Sequence, residues 1–434
     1  MRVPSFIESV GSAALRQGPR LLGLDQGGAE HLRRFLVPLD GDALLDKARG
    51  QTGLADFGDD RFREGLGVLL KSYDTDACLS LVGRFAARED TLRLLETRLQ
   101  LEQDRKRFQG IAKQEIRKPI FIVGLPRSGT TLLHNLLAQD PANRVPMSWE
   151  VMFPSPPPER AHYETDPRIE KAENTLRWLD RLAPKFRAIH AVGARLPQEC
   201  IAITSHAFES PRFHTTHNVV SYQAWLTDRD LRAAYAFHRR MLQHLQWNCP
   251  ASRWVLKSPA HLFGLDAIFK TYPDARIVQT HRDPIEVLPS TANLTAVLRR
   301  AFSNKINLED IGIEVTQRWA EGVRRAMAVR DANMAARDRF LDIQYRELVW
   351  DPIATVRRIY ARFDMEWTAD LEDRMRRFLA TNPQYKHGNH DYSLAQFGLV
   401  SEDIRCLFQS YCDRFVGGRE PVELTKAPLL PTAK

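Results

Sequence analysis

The residues most suited to chemistry lie in "GLPRSGTT". Gly124 and Gly129 stand at the spacing of a P-loop glycine pair, and Thr131 takes the usual Ser/Thr position. Glycines let backbone N–H groups converge on an anion, and a following helix adds its positive end. Thr130 stands where such loops carry the lysine that reaches the β- and γ-phosphates. Its absence argues against nucleoside triphosphate hydrolysis. Arg127, inside the loop, offers a planar fork to a shorter anionic group. A tight strand–helix turn holding nothing is the plain alternative.

A phosphate loop needs a strand before it and a helix after it, and the flanks predict both. "IFIVGL" is a short continuous apolar run, suited to a strand buried on both faces. After the loop, Leu132, Leu133, Leu136 and Leu137 recur at helical spacing, and Asp140-Pro141 marks the stop. Three further runs, "RWVLKS", "ARIVQT" and "RFLDIQY", read as strands separated by helical patterns such as "HLFGLDAIFKTY" and "ATVRRIYARF". This alternation predicts an α/β fold: a P-loop-NTPase-like parallel sheet flanked by helices.

Two helical regions accompany that core. Residues 1–117 place apolar residues three and four apart between charges, as in "FREGLGVLLKSY", and predict a helical N-terminal region. The α/β domain is then 118–434, with a large helical insertion at 151–250 on the acceptor side. The insertion opens on "PSPPPER" and carries Phe208, Phe213, Tyr222, Trp225, Tyr235, Phe237 and Trp247. Those aromatics are core or the lining of an acceptor pocket.

Composition narrows the class without choosing a ligand. The 434 residues are 43% hydrophobic and 27% charged, an ordinary globular balance. The net charge of +8 suits an anionic ligand, a nucleic acid or a membrane surface. No stacking-aromatic and basic-residue motif supports nucleic acid. The five cysteines, Cys78, Cys200, Cys249, Cys406 and Cys412, are scattered and form no CxxC pair, as expected of reduced thiols in a cytoplasmic protein. No apolar run reaches the roughly 18 residues that span a bilayer. The first residues lack a secretory h-region, but their Arg and Ser with few acids leave an organellar transit peptide open. "HTTH" (His214, His217) and "HGNH" (His387, His390) have tolerable metal spacing, although His pairs in polar loops are more often surface or phosphate contacts.

"PRSGTT" after a buried strand resembles the 5′-phosphosulfate loop of the sulfotransferases, which use 3′-phosphoadenosine 5′-phosphosulfate. "ARIVQT" runs into "HRDPIEVLPS", whose Arg282 and Ser290 are eight apart, as are the Arg and Ser that hold the donor's 3′-phosphate in that family. The local pattern suits this placement: Asp283 can cap a helix whose first position is Pro284. Pro289 should bend that helix. "QYRELVWDP" is similar to the segment whose tyrosine, here Tyr345, lies near adenine. "WVLKSPAHL" puts Lys257 where the family carries a lysine beside the transferred group. "QYKHGNHDYSLAQFGL", with Lys386, resembles the end of a broad, largely bacterial group of these enzymes.

The resemblance implies a donor site of Arg127, Ser128, Gly129, Thr130, Thr131, Arg282, Ser290, Tyr345 and Lys386, with Arg127 and Lys257 also catalytic. It implies transfer of a sulfuryl group, without a metal, to a hydroxyl or amine of a small-molecule, lipid or carbohydrate acceptor. There are departures. Pro259 stands where the cytosolic steroid and phenol enzymes have a catalytic histidine, Leu132 where they have a tryptophan, and Arg127 where they have a lysine. The loop is closer to the protein-tyrosine sulfotransferases, which place a glutamate base beyond the first helix; Glu150 stands within about two residues of that place. Glu150 is the chosen base, His261 the alternative or an acceptor-orienting group, and His134 a third candidate that could instead face the sheet. A small-molecule P-loop kinase and a non-catalytic nucleotide-binding protein are the competing functions.

Overall fold

In the computed structural model, residues 26–182, 192–382 and 393–417 are described. They fall into two compact units, one drawn from Met1–Ile116, Pro146–Ala251 and Leu294–Asn307, the other from Arg117–Val145, Ser252–Asn293 and Leu308–Lys434.

The first unit is helical. In the helix Phe62–Thr75, residues Phe62, Leu66, Leu69, Leu70 and Tyr73 are buried, one face at helical spacing. They join a core with Leu92, Leu95 and Leu99 of the long helix Leu81–Arg107 and with Phe208, Phe213 and Tyr222. The insertion's aromatics are thus mostly core, with Trp225 packed partly buried against it. Polar groups in this interior are tied to carbonyls. Buried Arg84 donates to Val37 O at 3.0 Å and to Asp74 at 2.6 Å, and Arg98 donates to His206 O and Phe57 O, both at 3.0 Å. "HTTH" is absorbed the same way. His214 O accepts from Arg299 at 2.8 Å, and the His217 ring packs between Tyr73 and Phe302.

The second unit is built on five parallel strands: β1 (Ile120–Gly124), β2 (Asn143–Arg144), β3 (Arg253–Lys257), β4 (Arg276–His281) and β5 (Phe340–Gln344). Their order is β2-β3-β1-β4-β5. Four are the apolar runs read from the sequence. The two-residue β2 has too few residues to show a period. Every residue of β1 is buried, as a central strand covered on both faces requires. Gly124 pairs with Thr280 of β4, and Ile122 with Lys257 of β3. The chain leaving β1 goes to one side of the sheet and β4 lies on the other, so the β1 end is the switch point where such sheets open a ligand crevice. The helix Pro284–Phe302 continues through Pro289, which therefore does not end it.

Candidate active site

The loop between β1 and the helix Thr130–Leu137 is shaped by three left-handed residues. Gly124 has φ 139°, Arg127 φ 62° and Gly129 φ 89°. At Gly124 a Cβ would lie 2.4 Å from Thr280 O, and at Gly129 2.7 Å from Leu348 Cδ2, so both positions require glycine. Arg127 has a side chain in a conformation that disfavours one. Such strain concentrates at ligand clamps, where surrounding contacts hold it. Here the fixing contact is buried Ser128, whose hydroxyl bonds Leu125 O and, at 2.7 Å, Thr280 Oγ1. Ser128 thereby spends its hydroxyl on loop shape and has its N–H to offer a ligand. Thr280 was not legible in the sequence, since its part depends on β4 lying beside β1.

Around this loop the fold gathers distant cations. Arg127 Nε donates to Ser290 Oγ at 3.1 Å, and Arg282 Nη1 donates to Arg127 O at 2.8 Å. Arg282 also donates from Nε to Glu286 at 2.9 Å, and its guanidinium lies 4.0 Å from the centroid of the Tyr345 ring. Asp283 Oδ1 accepts the Ile285 N–H at 2.9 Å, capping the helix that presents Ser290 two turns on. On the other side of β1, Lys257 is buried at the end of β3, with Nζ 3.3 Å from Thr131 Oγ1. Arg127, Ser128, Gly129, Thr130, Thr131, Lys257, Arg282, Ser290 and Tyr345 therefore surround one strand end. Lys386 lies outside the described residues, as do His387 and His390.

The base candidates separate. His134 Nε2 is 3.1 Å from Val255 O, so it faces the sheet. Burial, reinforced by the Lys257 charge, pushes its pKa down to about 3. It is a neutral packing residue. His261 is also buried, its ring edge-on against Phe121 in the interior of β1, with centroids 5.1 Å apart. Glu150 belongs to the first unit, on the helix Ser148–Met152, where its fully buried carboxylate accepts the Met147 N–H at 3.0 Å. That bond completes a capping box and fixes the carboxylate's direction.

Comparison with known proteins decides the family. The family model described as "Sulfotransferase family" matches residues 119–369. The chain belongs to the sulfotransferase family. It is 32% identical to the crystal structure of sulfotransferase STF1 from Mycobacterium tuberculosis H37Rv, covering 86% of this chain and 98% of that one with a TM-score of 0.76. Sulfotransferase STF9 from Mycobacterium avium gives 29% identity and a TM-score of 0.78, over 87% of this chain and 97% of that one. Among curated proteins, the omega-hydroxy-beta-dihydromenaquinone-9 sulfotransferase Stf3 of Mycobacterium bovis is 25% identical over 297 residues, or 65% of this chain and 72% of its own length. The α/β sheet and the sulfotransferase assignment read from the sequence both hold. No helix among the described residues is long and apolar enough to cross a membrane, and no group of three or more His, Cys, Asp or Glu there could hold a metal ion.

Proposed function

We propose that this sulfotransferase moves the sulfuryl group of 3′-phosphoadenosine 5′-phosphosulfate to a hydroxyl of a small-molecule or lipid acceptor. One arrangement carries the reading. Arg127 reaches Ser290 while Arg282 holds the Arg127 carbonyl, so two cations and a hydroxyl meet beside a loop that lacks the triphosphate-binding lysine. Such a set fits a ligand with anionic groups at two places better than a linear triphosphate. The tight backbone at Gly124 and Gly129 fits close approach by one of them.

The donor supplies a sulfuryl group joined to phosphate through an oxygen that leaves readily. In this reading Arg127 and the N–H groups of Ser128 to Thr131 hold the 5′ end, and Arg282 and Ser290 hold the 3′-phosphate. Tyr345, packed on Gly129, borders the adenine. Lys257 stands where negative charge grows on the leaving oxygen, and the task of such a group is charge stabilisation. The acceptor's O–H loses its proton to a base as its oxygen forms the new bond to sulfur. We assign that base to Glu150, whose direction is set by Met147 N–H, with His261 as the alternative. The Mycobacterium bovis relative is named for a hydroxylated menaquinone derivative, which supports an alcohol on an apolar carrier as the acceptor class here.

Calorimetry on the full chain tests the donor assignment. The 3′,5′-bisphosphate of adenosine should bind without metal, more tightly than 5′-AMP or ATP. Arg282→Ala should cost on the order of 2–4 kcal/mol of that binding, as expected for lost charged hydrogen bonds. Equal affinity for the bisphosphate and 5′-AMP would remove the basis of the clamp.

A further inference from the structure

His281, the residue before Arg282, ends β4 and is fully buried. Its Nε2 is 2.8 Å from Asp342 Oδ1, and its Nδ1 is 3.3 Å from Tyr411 Oη. The carboxylate only accepts, so Nε2 carries the proton and Nδ1 accepts from the Tyr411 O–H. Arg282 is the next residue after His281, so Tyr411 bonds the side chain that fixes the end of β4. A directed chain results: Tyr411 O–H to His281, and His281 N–H to Asp342. Arg330 closes it, with Nη1 and Nη2 at 2.7 and 2.8 Å from the two Asp342 oxygens and Nη1 at 2.8 Å from Gln279 Oε1. Each bond polarises the next inside a low-dielectric interior.

The state of these groups suits a fixed relay of hydrogen bonds. Burial pushes the His281 imidazole below its usual value, against the pull of Asp342, so it is neutral. Burial opposes ionisation of Asp342, but the bonds from Arg330 and His281 outweigh it and hold the carboxyl well below its usual range. Burial raises the Tyr411 hydroxyl, which keeps its proton.

Tyr411 and its neighbours come from the last described segment, Gln409–Val416. That segment is tied down at several points. The Phe415 ring stacks on His281, centroids 4.3 Å apart and planes within 9°, and the Arg330 guanidinium lies 4.9 Å from the same ring. Phe415 O accepts from Gln344 Nε2 at 2.7 Å, and Arg414 pairs with Asp331 at 2.7 Å. The donor reading gives the Arg282 side chain a phosphate to hold; nothing in that reading uses Tyr411, His281 or Asp342.

We propose that Tyr411 is a positioning residue for the 3′-phosphate clamp: its hydroxyl, bonded to His281, helps hold the end of β4 from which Arg282 projects, so that docking of residues 409–416 and grip on the 3′-phosphate are coupled. The inference rests on the donor assignment above. By reciprocity, a ligand gripped by Arg282 should also tighten the segment that holds the end of β4.

The experiment compares the intact chain with Tyr411→Phe, which keeps the ring against Phe415 and His281 and removes only the hydroxyl. Titration with adenosine 3′,5′-bisphosphate and with 5′-AMP reads the 3′-phosphate selectively. Tyr411→Phe should weaken the bisphosphate about tenfold, the order set by one lost hydrogen bond to a positioned group, and leave 5′-AMP within about twofold. General damage to the fold would weaken both ligands alike and would overturn the inference. Trypsin cleavage at Arg405 and Arg414 should be slowed by the bisphosphate more than by 5′-AMP in the parent chain, and equally by both in the variant. Should Tyr411→Phe not fold, Asp342→Asn weakens the chain one step further out by removing the charge that His281 and Arg330 bond, and a loss of 3′-phosphate selectivity in the same direction is expected. A variant that keeps the parent's preference for the bisphosphate overturns the positioning role while the donor assignment stands. A parent chain with no preference defeats the donor assignment, and this inference with it.

Discussion

Glu150 and His261 illustrate how little a residue's type says about its task. Each is buried and each has a packing or capping duty visible in the fold, and the proposed reaction needs one of them as its base. Glu150→Gln keeps the shape of the side chain and removes its basicity. Turnover should then fall by roughly 10²–10⁴-fold, the usual worth of a general base. Donor binding should hold within a factor of about two. Steady-state kinetics beside calorimetry separates the outcomes, because loss of the capping bond alone would alter stability without abolishing turnover. An active Glu150→Gln chain with a dead His261→Ala chain that still binds donor would move the role to the histidine.

At the scale of elements, the same substitution should have opposite signs in two neighbouring helices. In Phe62–Thr75, Gly67 is exposed, and a Cβ there meets nothing within 4 Å. Gly67→Ala should stabilise by about 0.5–1 kcal/mol, since the unfolded chain loses freedom and helix propensity rises. In Leu81–Arg107, Gly83 lies in the first turn, where its N–H is capped by Ser80 Oγ at 2.9 Å. A Cβ on Gly83 would sit 1.9 Å from Phe302 O. Backbone atoms cannot swing aside as side chains do, so Gly83→Ala should destabilise by about 1–3 kcal/mol. Urea midpoints of the two variants check both signs, and a stable Gly83→Ala chain would show that this contact yields.

For the whole molecule, acid stability should be set by histidine before it is set by carboxylates. Burial depresses His134, His206, His217 and His238 to about 3, and His244 to about 4. In the unfolded chain each would titrate near 6.5. Below that pH the unfolded state takes up protons that the folded state refuses. The stability these residues carry is therefore complete above about pH 6.5 and is lost as pH falls toward 3–4, at about 1.4 kcal/mol per pH unit per group. The denaturant midpoint should begin to fall between pH 7 and 5, above the carboxylate range. A midpoint flat down to pH 4 would mean that these imidazoles are not held neutral.

The sequence by itself determined the features that are local in the chain. Strand, loop and helix at 118–141 follow from one apolar run, two glycines and one leucine period, and the resemblance of this stretch to sulfotransferases rests on contiguous residues. Asp283 and Pro284 likewise announced a helix start that is present. Tertiary structure decided everything that depends on which strands are neighbours. Ser128 meets Thr280 across 152 residues of chain because β1 lies beside β4, and Arg127 meets Ser290 across 163 for the same reason. Tyr411 meets His281 across 130, in a segment whose sequence carries no motif. Loop-closure entropy opposes such pairings in the free chain. They exist only when the buried sheet has fixed both ends, so no local pattern of residue types encodes them.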